Sequence, residues 1–244
     1  ISIATSSTEP FANQMVTEST LKIMEYFVKL GYKNPFWIVT KAGIPNNISK
    51  RLKKITDNGN KLMISFCYAG NPEDIEPMQN DRFKNIESLV GTGVTTSWYL
   101  RPLVVEWGAN FCHLEKMFKN ISEKYGSYID MIVPGGLRWT DGIEFGMHVQ
   151  KGKTMPKLIK KFDVKTLSTE IENKIIDLCN KYFPAKPVYF NSSCAMSHML
   201  RRNNIALLNF FRPEICEKSK CCNPCKTKCE KKTFSESEIK IIND

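Results

Sequence analysis

The chain has 244 residues, with 35 lysines and arginines against 25 aspartates and glutamates, a formal charge of +10, and nine cysteines. A chain of this length buries a full core without crosslinks, so clustered cysteines are read as metal ligands rather than as disulfides of a secreted mini-protein. No stretch approaches the roughly 20 apolar residues that span a bilayer, and no secretory pattern opens the chain. The expected compartment is the cytoplasm, with no membrane partner.

The chain opens on Ile1, inside the apolar stretch "ISIAT", with no lead-in. That start is expected of a sequence cut from a longer protein, or of a subunit whose first segment lies elsewhere. Ile1–Thr5 is the first strand candidate. Thr17 is placed to cap a helix that carries Leu21, Met24 and Val28 on one face. Phe36–Thr40 and Leu62–Phe66 follow as strands. Asn80 is placed to cap a helix carrying Phe83, Ile86 and Val90. Thr95–Leu100 is a strand, and Phe111, Leu114, Phe118 and Ile121 share a helical face. Ile129–Val133 and Val188–Phe190 are the last strands, with the helical face Ile171, Ile175, Leu178 and Tyr182 between them. Gly31, Gly59, Gly93 and Gly126 follow helix candidates, where a left-handed residue ends a helix.

Strand then helix, repeating about every 30 residues, specifies a parallel sheet with helices outside. Six strands without a GxGxxG fit an α/β fold of the partial (β/α) TIM-like barrel type, formed by residues 1–190. In such folds ligands sit beyond the C-terminal strand ends. After residue 190 the period stops. "NSSCAMSHMLRR" is compatible with one short helix, and residues 191–244 form a cysteine-rich C-terminal extension.

The strand ends read "TSSTEPF" (5–11), "VTKAG" (39–43), "ISFCYAGNPEDIEP" (64–77), "YLRPLV" (99–104) and "VPGGLRWTDG" (133–142). Hydroxyls, a lysine, a glutamate and arginines converging on one mouth suit a zwitterion with hydroxyl groups. Lys41 or Arg101 would hold a carboxylate, and Ser65 a ribose or amino group. Turn chemistry is the plainer account of the Ser, Thr, Gly and Pro residues.

The ordered segments "S-x-T-E-P", "V-T-K", "S-F…E-P…R-F" and "R-P-L" resemble the radical S-adenosylmethionine (SAM) superfamily, nearest its spore photoproduct lyase and DNA repair photolyase-like branch. The resemblance runs over roughly residues 1 to 120. It implies SAM bound at the strand ends of a partial barrel, and a [4Fe–4S] cluster that reduces SAM to a 5′-deoxyadenosyl radical, which abstracts hydrogen from a substrate. It also implies that Ser7 or Thr8 binds SAM, that Lys41 meets the methionine carboxylate, that Ser65 is the serine after the next strand, and that Glu76 and Arg82 form an architectural pair. The family's C-x3-C-x2-C motif is absent from these residues, so it is expected upstream or on a partner chain. Ser6 or Ser7 stands where the lyase carries a cysteine hydrogen donor.

Five cysteines, Cys216, Cys221, Cys222, Cys225 and Cys229, fall close together in the tail. Such spacing suits an auxiliary [4Fe–4S] cluster, or alternatively zinc. Cys194 is a hydrogen donor, a cluster ligand or a packed thiol. Cys67, Cys112 and Cys179 fall in strand or helix patterns and read as core. His113, His148 and His198 form no metal-ligand pair, though His198 follows Cys194 by one helical turn. Arg138, Trp139 and Asp141 are candidates to face substrate.

The expected activity is a radical SAM enzyme with one or two clusters, an external reductant and a substrate that is nucleic acid, peptide or another molecule. The alternative is a zinc-bearing, basic, nucleic-acid-binding module, since lysine runs such as "KRLKK" (50–54) and "KGKTMPKLIKK" (151–161) are either solvated faces or a polyanion patch. A third possibility is a TIM-like hydrolase or aldolase in which Lys41 forms a Schiff base.

Overall fold

The computed structural model describes residues 9–72, 75–76, 82–104, 107, 111–137, 142–143, 145 and 167–201. These form an α/β fold with a four-stranded parallel sheet in the order β1-β2-β3-β4. The strands are β1 (Phe36–Thr40), β2 (Leu62–Cys67), β3 (Thr95–Tyr99) and β4 (Met131–Ile132). Five α-helices are described: α1 (Gln14–Lys29), α2 (Ser49–Asp57), α3 (Phe111–Tyr125), α4 (Thr169–Tyr182) and α5 (Ser192–Leu200). None is long and apolar enough to cross a membrane.

The alternation in β2 explains the layering. Leu62, Ile64 and Phe66 face one way, into a core shared with Leu21 and Met24 of α1, Leu52 and Ile55 of α2, Leu114 and Phe118 of α3, and Ile175 of α4. Met63 and Cys67 face the other way, with Tyr99, Met131 and Val133, against Cys194, Ala195, Met196 and Met199 of α5. Period-two side chains therefore give each face its own partner. Each fully buried Leu or Ile contributes about 1.5–3 kcal/mol. Residues 192–200, past the change of pattern at 190, thus cover the sheet face opposite the other four helices.

Several element expectations need correction. The first helix is capped by Asn13, whose side chain accepts from the Val16 amide at 3.0 Å; asparagine caps better than threonine, and Thr17 is buried within the helix. The helix expected over Phe83, Ile86 and Val90 is a run of turns and a 3-10 helix, Ile86–Leu89. Its cause is Asn85, held at φ 60° by side-chain bonds to Ile44 O (2.8 Å) and Asn46 Oδ1 (2.9 Å). A left-handed residue interrupts an α-helix, and Val90 is exposed. The strand expected at Val188–Phe190 is reduced to one parallel bridge, Val188 to Ile132. The short helix expected near 191 is α5, begun by the Asn191 side chain, which accepts from Ser193 N at 2.9 Å.

Candidate functional site

The register aligns Thr40 with Phe66, and Phe66 with Trp98. One step further along, Lys41 emerges beside Cys67 and Tyr99, past the C-terminal edge. Its ammonium lies 2.7 Å from Glu76 Oε1. The same oxygen is 3.2 Å from Arg82 Nη1, and Asn71 Nδ2 donates to Glu76 Oε2 at 2.9 Å. Arg82 Nη1 also donates to the Cys67 carbonyl at 2.6 Å, which ties the carboxylate to the end of β2. The side chains of Arg82 and Glu76 are 2% and 10% exposed, whereas Lys41 is 55% exposed. Lys41 is therefore the part of this cluster that meets solvent. Burial pushes the Glu76 carboxyl up, but the hydrogen bond and charge of Lys41, the charge of Arg82 and the Asn71 bond outweigh it. The group is held below the usual carboxylate range.

A second carboxylate fixes the lysine backbone. Glu9 Oε2 accepts from the Lys41 amide at 2.6 Å, and Oε1 accepts from Thr40 Oγ1 at 2.5 Å and from Phe11 N at 3.2 Å. Two Glu-Pro segments, 9–10 and 76–77, thus bring their carboxylates to one lysine. Glu9 and Asn71 were not singled out as site residues. The repeated Glu-Pro pair was the signal for Glu9; nothing local pointed to Asn71.

Ser65 and Arg101 stand apart from this cluster. Ser65 is fully buried on the sheet face covered by α5. Its hydroxyl accepts from Trp37 Nε1 at 2.8 Å and lies 2.7 Å from Ser97 Oγ. The buried Arg101 guanidinium donates to Pro134 O from Nε (3.1 Å) and Nη2 (3.0 Å), and to Phe190 O from Nη2 (3.0 Å). Nη1 donates to Tyr99 Oη at 3.1 Å. It joins the ends of β3 and β4 to the segment entering α5. A Cβ at Gly135 would lie 2.4 Å from Arg101 Nε, so glycine there makes room for the guanidinium.

Cys67 donates to the Arg101 carbonyl at 3.1 Å, and burial, assisted by the Glu76 charge, pushes its thiol up to about 11. Cys194 packs in the apolar cluster beneath α5 with Cys67. His198 Nδ1 lies 2.6 Å from Tyr189 Oη. Cys179 is buried, and Cys112 is exposed on α3. His113 packs against Gly70.

Ser6, Ser7, Thr8, Arg138, Trp139, Asp141 and His148 lie outside the described residues, as do Cys216, Cys221, Cys222, Cys225 and Cys229. Among the described residues, no three His, Cys, Asp or Glu side chains gather in a way that could hold a metal ion. Comparison with protein-family models, curated proteins and solved structures finds no match.

Proposed function

We propose that this chain is the core of a radical SAM enzyme, a partial (β/α) barrel that binds SAM at its C-terminal strand ends. The observation that carries this proposal is Lys41 at the end of a parallel strand, its half-exposed ammonium paired with Glu76 and its backbone amide bound by Glu9. Such a group suits the carboxylate of a zwitterion. The sequential strand order supports the barrel. α2, α3 and α4 pack on one face of the sheet, as in singly wound sheets that curl toward closure. Trp37 and Val39 leave the opposite face only half-buried at β1.

Cys216, Cys221, Cys222, Cys225 and Cys229 are the proposed ligands of an auxiliary [4Fe–4S] cluster, with zinc as the alternative. The SAM-cleaving cluster would take its cysteines from a C-x3-C-x2-C segment upstream or on a partner. When bound, that cluster supplies the electron for SAM cleavage, drawn from an external reductant. The proposed role of this chain's residues is to seat the methionine end of SAM against Lys41.

The test is calorimetry with SAM on the anaerobically prepared chain. Saturable binding that Lys41→Ala weakens is expected; no saturable binding up to on the order of 1 mM (about −4 kcal/mol) would overturn the proposal. A second reading, a zinc-bearing module for nucleic acid, draws on α2, where Lys50, Lys53 and Lys54 are all exposed. Reconstitution with iron and sulfide distinguishes them: a brown protein supports the first and a colourless, zinc-containing one the second.

A further inference from the structure

At the opposite edge of the sheet, the N-terminal ends of β3 and β4 border an open cleft of about 800 Å³. Thr95 and Met131 form its floor, the C-terminal half of α4 one wall, the 184–187 loop another, and the end of α5 the third. Its size falls in the range of small-molecule sites, which combine apolar walls with a few placed polar groups. Ile176, Pro184, Pro187, Val188 and Met199 supply the apolar surface. The polar groups are Asp130, Asn180, Lys186, His198 and Arg201.

Their charges are unequal. Asp130 Oδ2 is engaged by Thr96, from the amide at 2.7 Å and the hydroxyl at 3.1 Å. The half-buried Lys186 and exposed Arg201 have no ion pair among the described residues. Tyr189 orients the His198 ring in the same wall. Arg201 is one of three non-glycine residues described with positive φ, at 53°, as the residue that ends α5. That conformation is uncommon for a residue with a Cβ and is held here by bonds from its amide to His198 O and Ser197 O.

We propose that this cleft binds a small organic anion, an apolar body carrying one carboxylate or phosphate, with Lys186 and Arg201 holding the anionic group and the Pro184–Val188 wall holding the body. The site is separate from Lys41, so it stands whether or not the SAM proposal does.

The experiment is calorimetric titration of the full chain with phenyl phosphate, benzoate and neutral benzyl alcohol. One or both anions should bind saturably, about tenfold or more tighter than benzyl alcohol. Preference for phenyl phosphate would identify a phosphate monoester, and preference for benzoate a carboxylate. The double variant Lys186→Ala/Arg201→Ala should lose about tenfold in anion affinity with an unchanged melting temperature, while Lys119→Ala, at an exposed lysine of α3 outside the cleft, should bind as wild type does. Ala185→Trp, which fills the cleft without touching a charge, should weaken all three probes. No anion binding below on the order of 10 mM, or binding unaffected by both cleft variants, would overturn the proposal.

Discussion

Lys41 and Glu76 meet at 2.7 Å across the ends of β1 and β2, the lysine half-exposed and the glutamate nearly buried. The carboxylate is shared with Arg82, which is buried. One glutamate thus serves an outward-facing cation and an inward-facing one, and the two should respond differently to substitution.

Lys41→Ala removes the half-exposed partner and leaves Glu76 its bonds to Arg82 and Asn71, so it should cost about 1 kcal/mol in urea unfolding. Its effect on SAM should be larger. A lost charge-assisted hydrogen bond is worth on the order of 1.5–3 kcal/mol, or about ten- to a hundredfold in affinity. Unchanged affinity in calorimetry would remove Lys41 from the proposed site.

Glu76→Ala leaves the Arg82 guanidinium buried without its carboxylate. Breaking a buried pair this way costs about 3–5 kcal/mol, and the remaining bond from Arg82 to the Cys67 carbonyl places the expectation near the lower end. Equal midpoints for Glu76→Ala and Lys41→Ala in the same denaturant series would contradict this division of roles.

The Glu76 carboxyl is lowered in the folded protein. A lowered folded value means that its stabilising contribution is fully present above the unfolded glutamate pKa, about 4.3, and is lost as pH falls through the folded value. Unfolding free energy should therefore decline as the solution is acidified below about pH 4. In Glu76→Gln that part of the acid limb should be shallower. Parallel acid limbs for the two proteins would show that other carboxylates set it.

Arg101 and Gly135 should be energetically coupled. Gly135→Ala places a Cβ within 2.7 Å of Arg101 Cζ, and overpacking of this kind costs about 1–3 kcal/mol. Arg101→Ala removes the obstacle but leaves the Pro134 and Phe190 carbonyls without their donor, at about 1–3 kcal/mol for each one left buried. The double variant should be less destabilised than the sum of the two, by about 0.5 kcal/mol or more. Strict additivity in a double-mutant cycle would mean that the guanidinium does not occupy the space above Gly135.

Among the four described cysteines, alkylation should begin at Cys112. It is exposed, whereas Cys179 and Cys194 are buried and the buried Cys67 thiol is raised to about 11. The thiolate is the reactive form. Peptide mapping after brief iodoacetamide treatment at neutral pH should find Cys112 modified and Cys67 intact; early modification of Cys67 would mean that this end of β2 opens readily.

What the sequence determined by itself is the local and periodic part. Phe36–Thr40 and Leu62–Phe66 were legible as strands because apolar runs bounded by turn residues need no distant partner to be recognised. The faces Leu114, Phe118 and Ile121, and Ile171, Ile175 and Leu178, were legible from helical spacing alone, and all six residues are buried. Lys41 stood out because it ends an apolar strand. Tertiary structure decided the rest, wherever a residue's best partner lies far away in the chain. Asn85 turns left-handed because the Ile44 carbonyl and the Asn46 Oδ1, about forty positions earlier, both accept from its side-chain amide. Arg101, legible as a cation at a strand end, is directed to carbonyls 33 and 89 positions later. Ser65 was legible as a hydroxyl on β2, but its burial against Trp37 and Ser97 required the three strands to pair in register. A polar side chain's destination depends on which donors and acceptors the fold brings within hydrogen-bond reach, and periodicity carries no record of that.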